Sequence, residues 1–449
     1  MQNKIRNRRL ILPILGIIAL WCLFIFYYLF SKPNNTKNLE FLPKNAEIKM
    51  RLDLRRITEK STAGLLFDSE DKSLINILDS LMQSSLQDTT KAKKMGVELL
   101  SNIGLFVDYT DNGAWFGVIL NLKSQEEFHK YLLKNPLLQK NSSYKDNTGA
   151  IVYFIDSNGK STLNPKKYIK QLLKQKNENP FSKKVNSDVV AELISQKSLH
   201  SNYPYGDGYL AISIHDHDIS ITGNLETKMK TQIQSKYCLS PKGLHISYAG
   251  IPKSTWKQLD DFSQKNNFKI PLIESFSINY NGVFLEEGGD QGFYVQPSVD
   301  LLLTFHDSIN QDSLLTPLYA MKSWGVKRNP EGISIGSKKY NIKMLNQKTL
   351  FVGSNPSNVS ATPPKNIYTL NGDLKSITSV KGAGFILSFL EVMPPFAASK
   401  QFFESVENTS FEMKQTKNKL TVDGRLKFKK DKFALTEIIR FGLLFNNIQ

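Results

Sequence analysis

The segment IESFSINYNGVFLEEGGDQGFYVQPSVDLLLTF, Ile273 to Phe305, decides how the chain is read. It holds two long strand-forming runs around a glycine-rich tip, and the next residues, His306 to Met321, read as a short helix. The same strand–strand–helix order recurs twice. In NIGLFVDYTDNGAWFGVILNLKSQEEFHKYLL, Asn102 to Leu133, two strands flank Asp111-Asn112-Gly113, and Asn-Gly supplies the positive φ angles of a tight hairpin. The helix after it opens at Ser124 with Glu127 three residues on, the spacing of a capping box. The third copy is FEMKQTKNKLTVDGRLKFKKDKFALTEIIRFGLL, Phe411 to Leu444.

Each copy has a leading strand: Ala46–Leu54, Leu244–Ile251 ahead of the helix STWKQLDDF, and Asn366–Leu370 ahead of a helix over Leu374–Leu390. Helical runs also mark Lys72–Leu81 and Ala92–Leu100, and ISITGN (219–224) echoes LFVGSN (350–355). These patterns predict an α+β fold in which an N-terminal single transmembrane helix precedes two or three serial units of antiparallel strands with packed helices. The expected layout is a basic cytoplasmic tail (1–9), a transmembrane helix (10–30), a linker (31–40), a first unit (41–240), a second unit (241–360) and a C-terminal unit (361–449). A lysine-rich insert near 159–184 interrupts the first unit.

The transmembrane reading rests on Leu10 to Phe30, an uncharged run whose length at 1.5 Å per residue spans a hydrocarbon core of roughly 30 Å. It is longer than a signal-peptide core, and no small-x-small cleavage pattern follows. Lys4, Arg6, Arg8 and Arg9 precede it, which by the positive-inside rule makes it a single-pass signal anchor with everything after Phe30 outside. The N-terminus is then cytoplasmic. Cys22 and Cys238 are the two cysteines, so no disulfide forms within the soluble part. Formal net charge is +17, carried mostly by lysine. A solvated surface accounts for that charge, and no nucleic-acid reader motif accompanies it.

The candidate chemistry is sparse. AISIHDHDISITGN (211–224) gathers His215, Asp216, His217 and Asp218. A continuous strand would put both imidazoles on one face and could ligate a metal. Parity opposes this: Ile212 and Ile214 are even-numbered, Ile219 and Ile221 odd, which predicts a hairpin with a polar turn at 215–218. Gly332-Ile333-Ser334-Ile335-Gly336 matches G-x-S-x-G but lacks the helix that a nucleophile elbow enters. Gly159-Lys160-Ser161 lacks the leading glycine of a phosphate loop. Glu286, Glu287 and Asp290 fall near a hairpin tip as solvated charge. Two binding surfaces stand out instead. Tyr203, Tyr205 and Tyr209 lie in a Pro/Gly-rich loop, and Lys166, Lys167 and Lys170 lie on a basic helix capped by Asn164-Pro165.

Leu42-Pro43-Lys44-Asn45-Ala46, followed by EIKMRLDLRRI, resembles the opening of uncharacterised envelope proteins of Bacteroidetes-like bacteria, a domain-of-unknown-function family. KDKFALTEII, Lys430–Ile439, is similar to their closing helix. The chain departs from the lipid-bearing forms in having an apolar helix where they have a lipobox cysteine. The resemblance implies an envelope α+β protein, held in a bacterial inner membrane with the bulk of the chain periplasmic, and transfers no catalytic residue.

Together these readings predict a non-catalytic, membrane-anchored binding or scaffold protein with no cofactor. Its expected partners are the membrane through Leu10 to Phe30, another envelope protein or an anionic envelope component, and no nucleic acid. The alternatives are an envelope hydrolase or metal-dependent enzyme with a dispersed site, or a glycan or small-molecule binder. A pocket joining His129, His200, His245 or His306 to acids would favour an enzyme.

Overall fold

The computed structural model describes residues 36–67, 95–98, 101–110, 113–156, 164–181, 186–194, 205–227, 233–256, 271–287, 293–310, 326–382 and 394–438. The chain divides into two compact units, one of Met1–Ala63 and Ser80–Val189 and the other of Gly64–Asp79 and Val190–Gln449.

The first unit is an antiparallel sheet. Its strands are β1 (Ile48–Asp53), β2 (Asn102–Thr110), β3 (Gly113–Asn121), β4 (Ser142–Lys145) and β5 (Thr148–Asp156), paired in the order β1-β2-β3-β5-β4. Phe106, Trp115, Ile119, Ala150 and Val152 cover one face. Ile169 and Leu172 of the helix Pro165–Leu172 pack against them, with Leu39, Leu42 and Ala46 of the leading segment. Leu42-Pro43-Lys44-Asn45-Ala46 is therefore partly a core plug. Tyr168 stacks on Trp115 with ring centroids 4.4 Å apart and donates to Asp108 at 2.5 Å. Ser124 caps the helix Gln125–Leu133 by accepting from the Glu127 backbone N–H at 3.2 Å.

The strand β6 (Val189–Leu193) lies at the break. The second unit then adds β7 (Tyr205–Ile214), β8 (Asp218–Thr227), β9 (Cys238–Leu239), β10 (Leu244–Tyr248), β11 (Ile273–Glu287) and β12 (Phe293–Phe305). It continues with β13 (Val326–Asn329), β14 (Gly332–Ile335), β15 (Lys338–Asn346), β16 (Thr349–Gly353) and β17 (Val359–Ser360). The last strands are β18 (Tyr368–Gly372), β19 (Val380–Gly382), β20 (Val406–Thr416) and β21 (Lys419–Phe428). One antiparallel ladder runs β7-β8-β21-β20-β18-β10-β11-β12-β16-β15-β14-β13. Two-residue turns join several neighbours, with Lys417 at φ 55° between β20 and β21.

The long hairpin β11–β12 is the axis of this unit. A register shift between Tyr280 and Val283 bends β11. Gly282 at φ +91° sits there, and a Cβ on it would meet the Ser379 carbonyl oxygen at 2.2 Å. Past the bend, β11 pairs in parallel with β19, while its first half pairs with β10.

The balanced α+β expectation is thereby corrected: the described chain is mostly antiparallel sheet. The physical reason is that helices expected from periodicity are short where they are described. Leu374–Leu390 begins as the four-residue helix Lys375–Thr378 and returns to a strand at Val380, with 383–390 outside the described residues. Of Ser254–Phe262, only the 3-10 turn Lys253–Trp256 is described. The run Lys72–Leu81 and the segment 311–321 lie outside the described residues, as does Ala92–Leu100 except for a turn and bridge at 95–98. Strands given to separate serial units also pair directly, as in β10–β18 and β8–β21.

The transmembrane expectation is corrected as well. Leu10–Phe30 lies outside the described residues, and among the described residues no helix is long and apolar enough to cross a membrane. The helix Leu54–Phe67 has 14 residues, about 21 Å, and carries Arg55, Arg56, Glu59 and Lys60. The signal anchor and the single-pass inner-membrane placement with a periplasmic bulk thus find no support and are withdrawn.

Candidate functional site

The side chains expected to carry function scatter. β7 ends at Ile214 and β8 begins at Asp218, so His215, Asp216 and His217 form the hairpin turn, closed by the His215 N–H donating to the Asp218 carbonyl at 2.7 Å. His217 meets Lys432: its Nδ1 lies 2.8 Å from that residue's carbonyl oxygen, and its ring lies 5.3 Å from Phe433. The Asp216 carbonyl accepts from Ala434, and Asp218 accepts from Arg425 at 2.6 Å. The turn is a latch for the segment 429–438. Among the described residues, no three His, Cys, Asp or Glu side chains come together to hold a metal.

Lys166, Lys167 and Lys170 are exposed on the helix Pro165–Leu172. Tyr203 lies outside the described residues, Tyr205 opens β7, and Tyr209 is half-buried on β7 opposite Asn224. Gly332–Gly336 is strand β14 and its turn, followed by strand β15. Gly159–Ser161 and Asp290 lie outside the described residues. Glu286 accepts from the Ser337 backbone N–H at 2.8 Å, which with the Ser337 and Gln296 side chains holds its carboxyl below the usual range. His129 is exposed, His200 lies outside the described residues, and His306 Nε2 lies 2.8 Å from the Ile251 carbonyl.

His245 stands apart. It belongs to a face of the second unit that is polar and yet covered. Registered rows cross β20, β18, β10, β11 and β12: Glu412, Thr369, Ser247, Ser277 and Leu302 in one row, and Ser410, Asn371, His245, Asn279 and Asp300 in the next. His245, Ser277, Asn279 and Asp300 are buried, whereas Ile246, Phe276 and Ile278 on the opposite face are only half-buried. Burying small polar groups costs free energy unless each is hydrogen-bonded.

The cover supplies most of those bonds. A strap from 233 to 242 crosses the face. Its Ser235 accepts from Thr304 at 3.1 Å, and its Ser240 carbonyl accepts from Asn279 Nδ2 at 2.9 Å. Asn279 Oδ1 accepts from the Lys242 N–H at 3.3 Å and lies 2.7 Å from His245 Nδ1. Leu239 packs on Leu302 and Phe351. β17 pairs with β9 in the strap, and Asp300 fastens the corner before β17 through the Ser354 N–H (2.9 Å) and Asn358 Nδ2 (2.7 Å).

Between this roof and the sheet lies a cleft of about 250 Å³. Its floor includes His245, Ser247, Ser275, Ser277 and Thr369, and its roof includes Tyr237, Pro363 and Asn366. With Nδ1 donating to Asn279, the neutral imidazole keeps Nε2 as an acceptor. Burial pushes the His245 pKa down, against the opposing hydrogen bond from Asn279. Ser277 Oγ is buried without a partner among the described residues, and Asn366 Oδ1 likewise. Glu412 also lines the cleft but is ion-paired with Lys414 at 2.7 Å.

The signal for this face was present in the sequence. The chain has 58 lysines and arginines, yet β10, β11, β12 and β18 contain none. A solvated sheet face in so basic a chain would carry lysine, as β21 does at Lys419 and Lys427.

No family model matches the chain, and no curated protein matches it. Among solved structures, crystal form III of TP0453 is 7% identical over 43% of this chain and 81% of that one, with a TM-score of 0.26. Crystal form I of TP0453 is 10% identical over 64% and 98%, with a TM-score of 0.24. Likeness this low supports no inference about fold or function.

Proposed function

We propose that the protein is a non-catalytic binding protein whose ligand sits in the roofed cleft of the second unit. The observation that carries this reading is Ser277, a hydroxyl on the floor of the cleft that is buried without a partner among the described residues. An unpaired buried hydroxyl costs about 1–3 kcal/mol, and a ligand that bonds it removes that cost. The cleft is smaller than the roughly 300–1,000 Å³ of drug-sized sites, so its ligand is of monosaccharide or amino-acid size.

His245 sharing a cleft with Glu412 raises the enzyme reading, but the chemistry opposes it. The Nδ1 partner of His245 is the neutral amide of Asn279, and Glu412 is engaged by Lys414. A general base needs an oriented proton path, and neither group provides one for the other. The test is a thermal-shift screen of small polar metabolites on the full chain and on Ser247→Leu, which fills the cleft. The expected result is a ligand that raises the wild-type midpoint and leaves that of the variant unmoved. A variant that responds as the wild type does, or a wild type that responds to nothing, contradicts the reading.

A further inference from the structure

The floor, roof and charge of the cleft also restrict what can enter it. Its unsatisfied groups are acceptors or hydroxyls: Ser277 Oγ and Asn366 Oδ1 have no partner among the described residues, and His245 presents Nε2. They call for a ligand with several O–H or N–H donors. The sheet floor is uncharged, since Ser247, Ser275, Ser277, Thr369 and Asn371 are all neutral. Lys365 and Glu412 stand at the margin with opposite signs, and Lys414 neutralises Glu412. On this floor a ligand ion would lose its hydration, a cation finding Glu412 already paired and an anion meeting only Lys365 at the margin, a loss that a neutral ligand avoids. The roof adds apolar surface from Tyr237, Pro363 and Pro364, suited to the C–H face of a ring whose edge carries hydroxyls.

Resting on the binding reading above, we propose that the ligand is a neutral polyhydroxylated ring of monosaccharide size. One hydroxyl donates to Ser277 Oγ, others reach Asn366 Oδ1 and His245 Nε2, and the ring's C–H face lies against Tyr237 and the two prolines.

The test is calorimetric titration of the full chain with three classes of probe. The neutral sugars are glucose, galactose, mannose and N-acetylglucosamine; the cations are putrescine and spermidine; the anions are inorganic phosphate and glucuronate. Saturable binding of at least one neutral sugar is expected, tenfold or more weaker in Ser277→Ala and lost in Ser247→Leu. Circular dichroism of both variants confirms that they fold. Binding of a cation or anion but no neutral sugar, abolished by Ser247→Leu, overturns the ligand class and leaves the binding reading standing. Sugar binding unchanged in both variants overturns the assignment to this cleft. If the wild type binds no probe of any class, the ligand class and the binding reading fall together.

Discussion

At the scale of the residue, Ser277, His245 and Asn279 form one chemical unit with different burdens. Asn279 is fully buried and serves three partners at once, accepting hydrogen bonds from the Lys242 N–H and His245 Nδ1 and donating to the Ser240 carbonyl. Asn279→Ala is expected to cost about 2 kcal/mol or more, since it orphans groups as well as removing bonds. Urea unfolding measures that cost. His245 titrates below the ordinary histidine value of 6.5 because burial disfavours its charged form. As pH falls through about 6.5, the unfolded chain takes up this proton before the folded one does, so stability drops. Stability measured by urea midpoints from about pH 8 to pH 5 should fall towards acid, and His245→Gln should flatten part of that slope. A slope identical in the variant would remove His245 as its source.

At the scale of the element, the His215–Asp218 turn and the 233–242 strap are fasteners of different kinds. His217 and Asp216 hold the segment 429–438, so His217→Ala is expected to cost about 1 kcal/mol and to speed hydrogen exchange at the Ala434 amide. His215→Ala should leave both unchanged, because among the described residues no side-chain contact of His215 holds that segment. The turn itself was legible from the parity switch between Ile214 and Ile219. Its partner was not, since nothing in local sequence ties 217 to 432. The strap was illegible for the same reason: β9 and β17 are two residues each, too short to leave a period.

At the scale of the whole molecule, strand content was legible and arrangement was not. Ile273–Phe305 was read as two long strands, and β11 and β12 are those strands. What periodicity could not supply is which strands pair across long sequence separations, such as β8 with β21. Nor could it show that the covered face of the second unit is the polar one, because an alternating strand is ordinarily read as apolar-in and polar-out. The absence of lysine from β10, β11, β12 and β18 was the clue, a matter of composition rather than period. Hydrogen exchange should find the slowest amides of the second unit in β10 and β11, each paired on both edges, and faster ones in β13 at the end of its ladder. Uniform protection across these strands would contradict that order.

The central claim is that a buried polar surface is kept for a ligand at a cost to the empty protein. Its most direct test is the thermal midpoint of ligand-free Ser277→Ala against wild type. Removing an unpartnered hydroxyl should raise the midpoint by about 2 °C or more, as expected for a gain near 1 kcal/mol in a unit of this size. A midpoint that falls would show that the Ser277 hydroxyl already stabilises the empty fold, and the account of the cleft would be wrong.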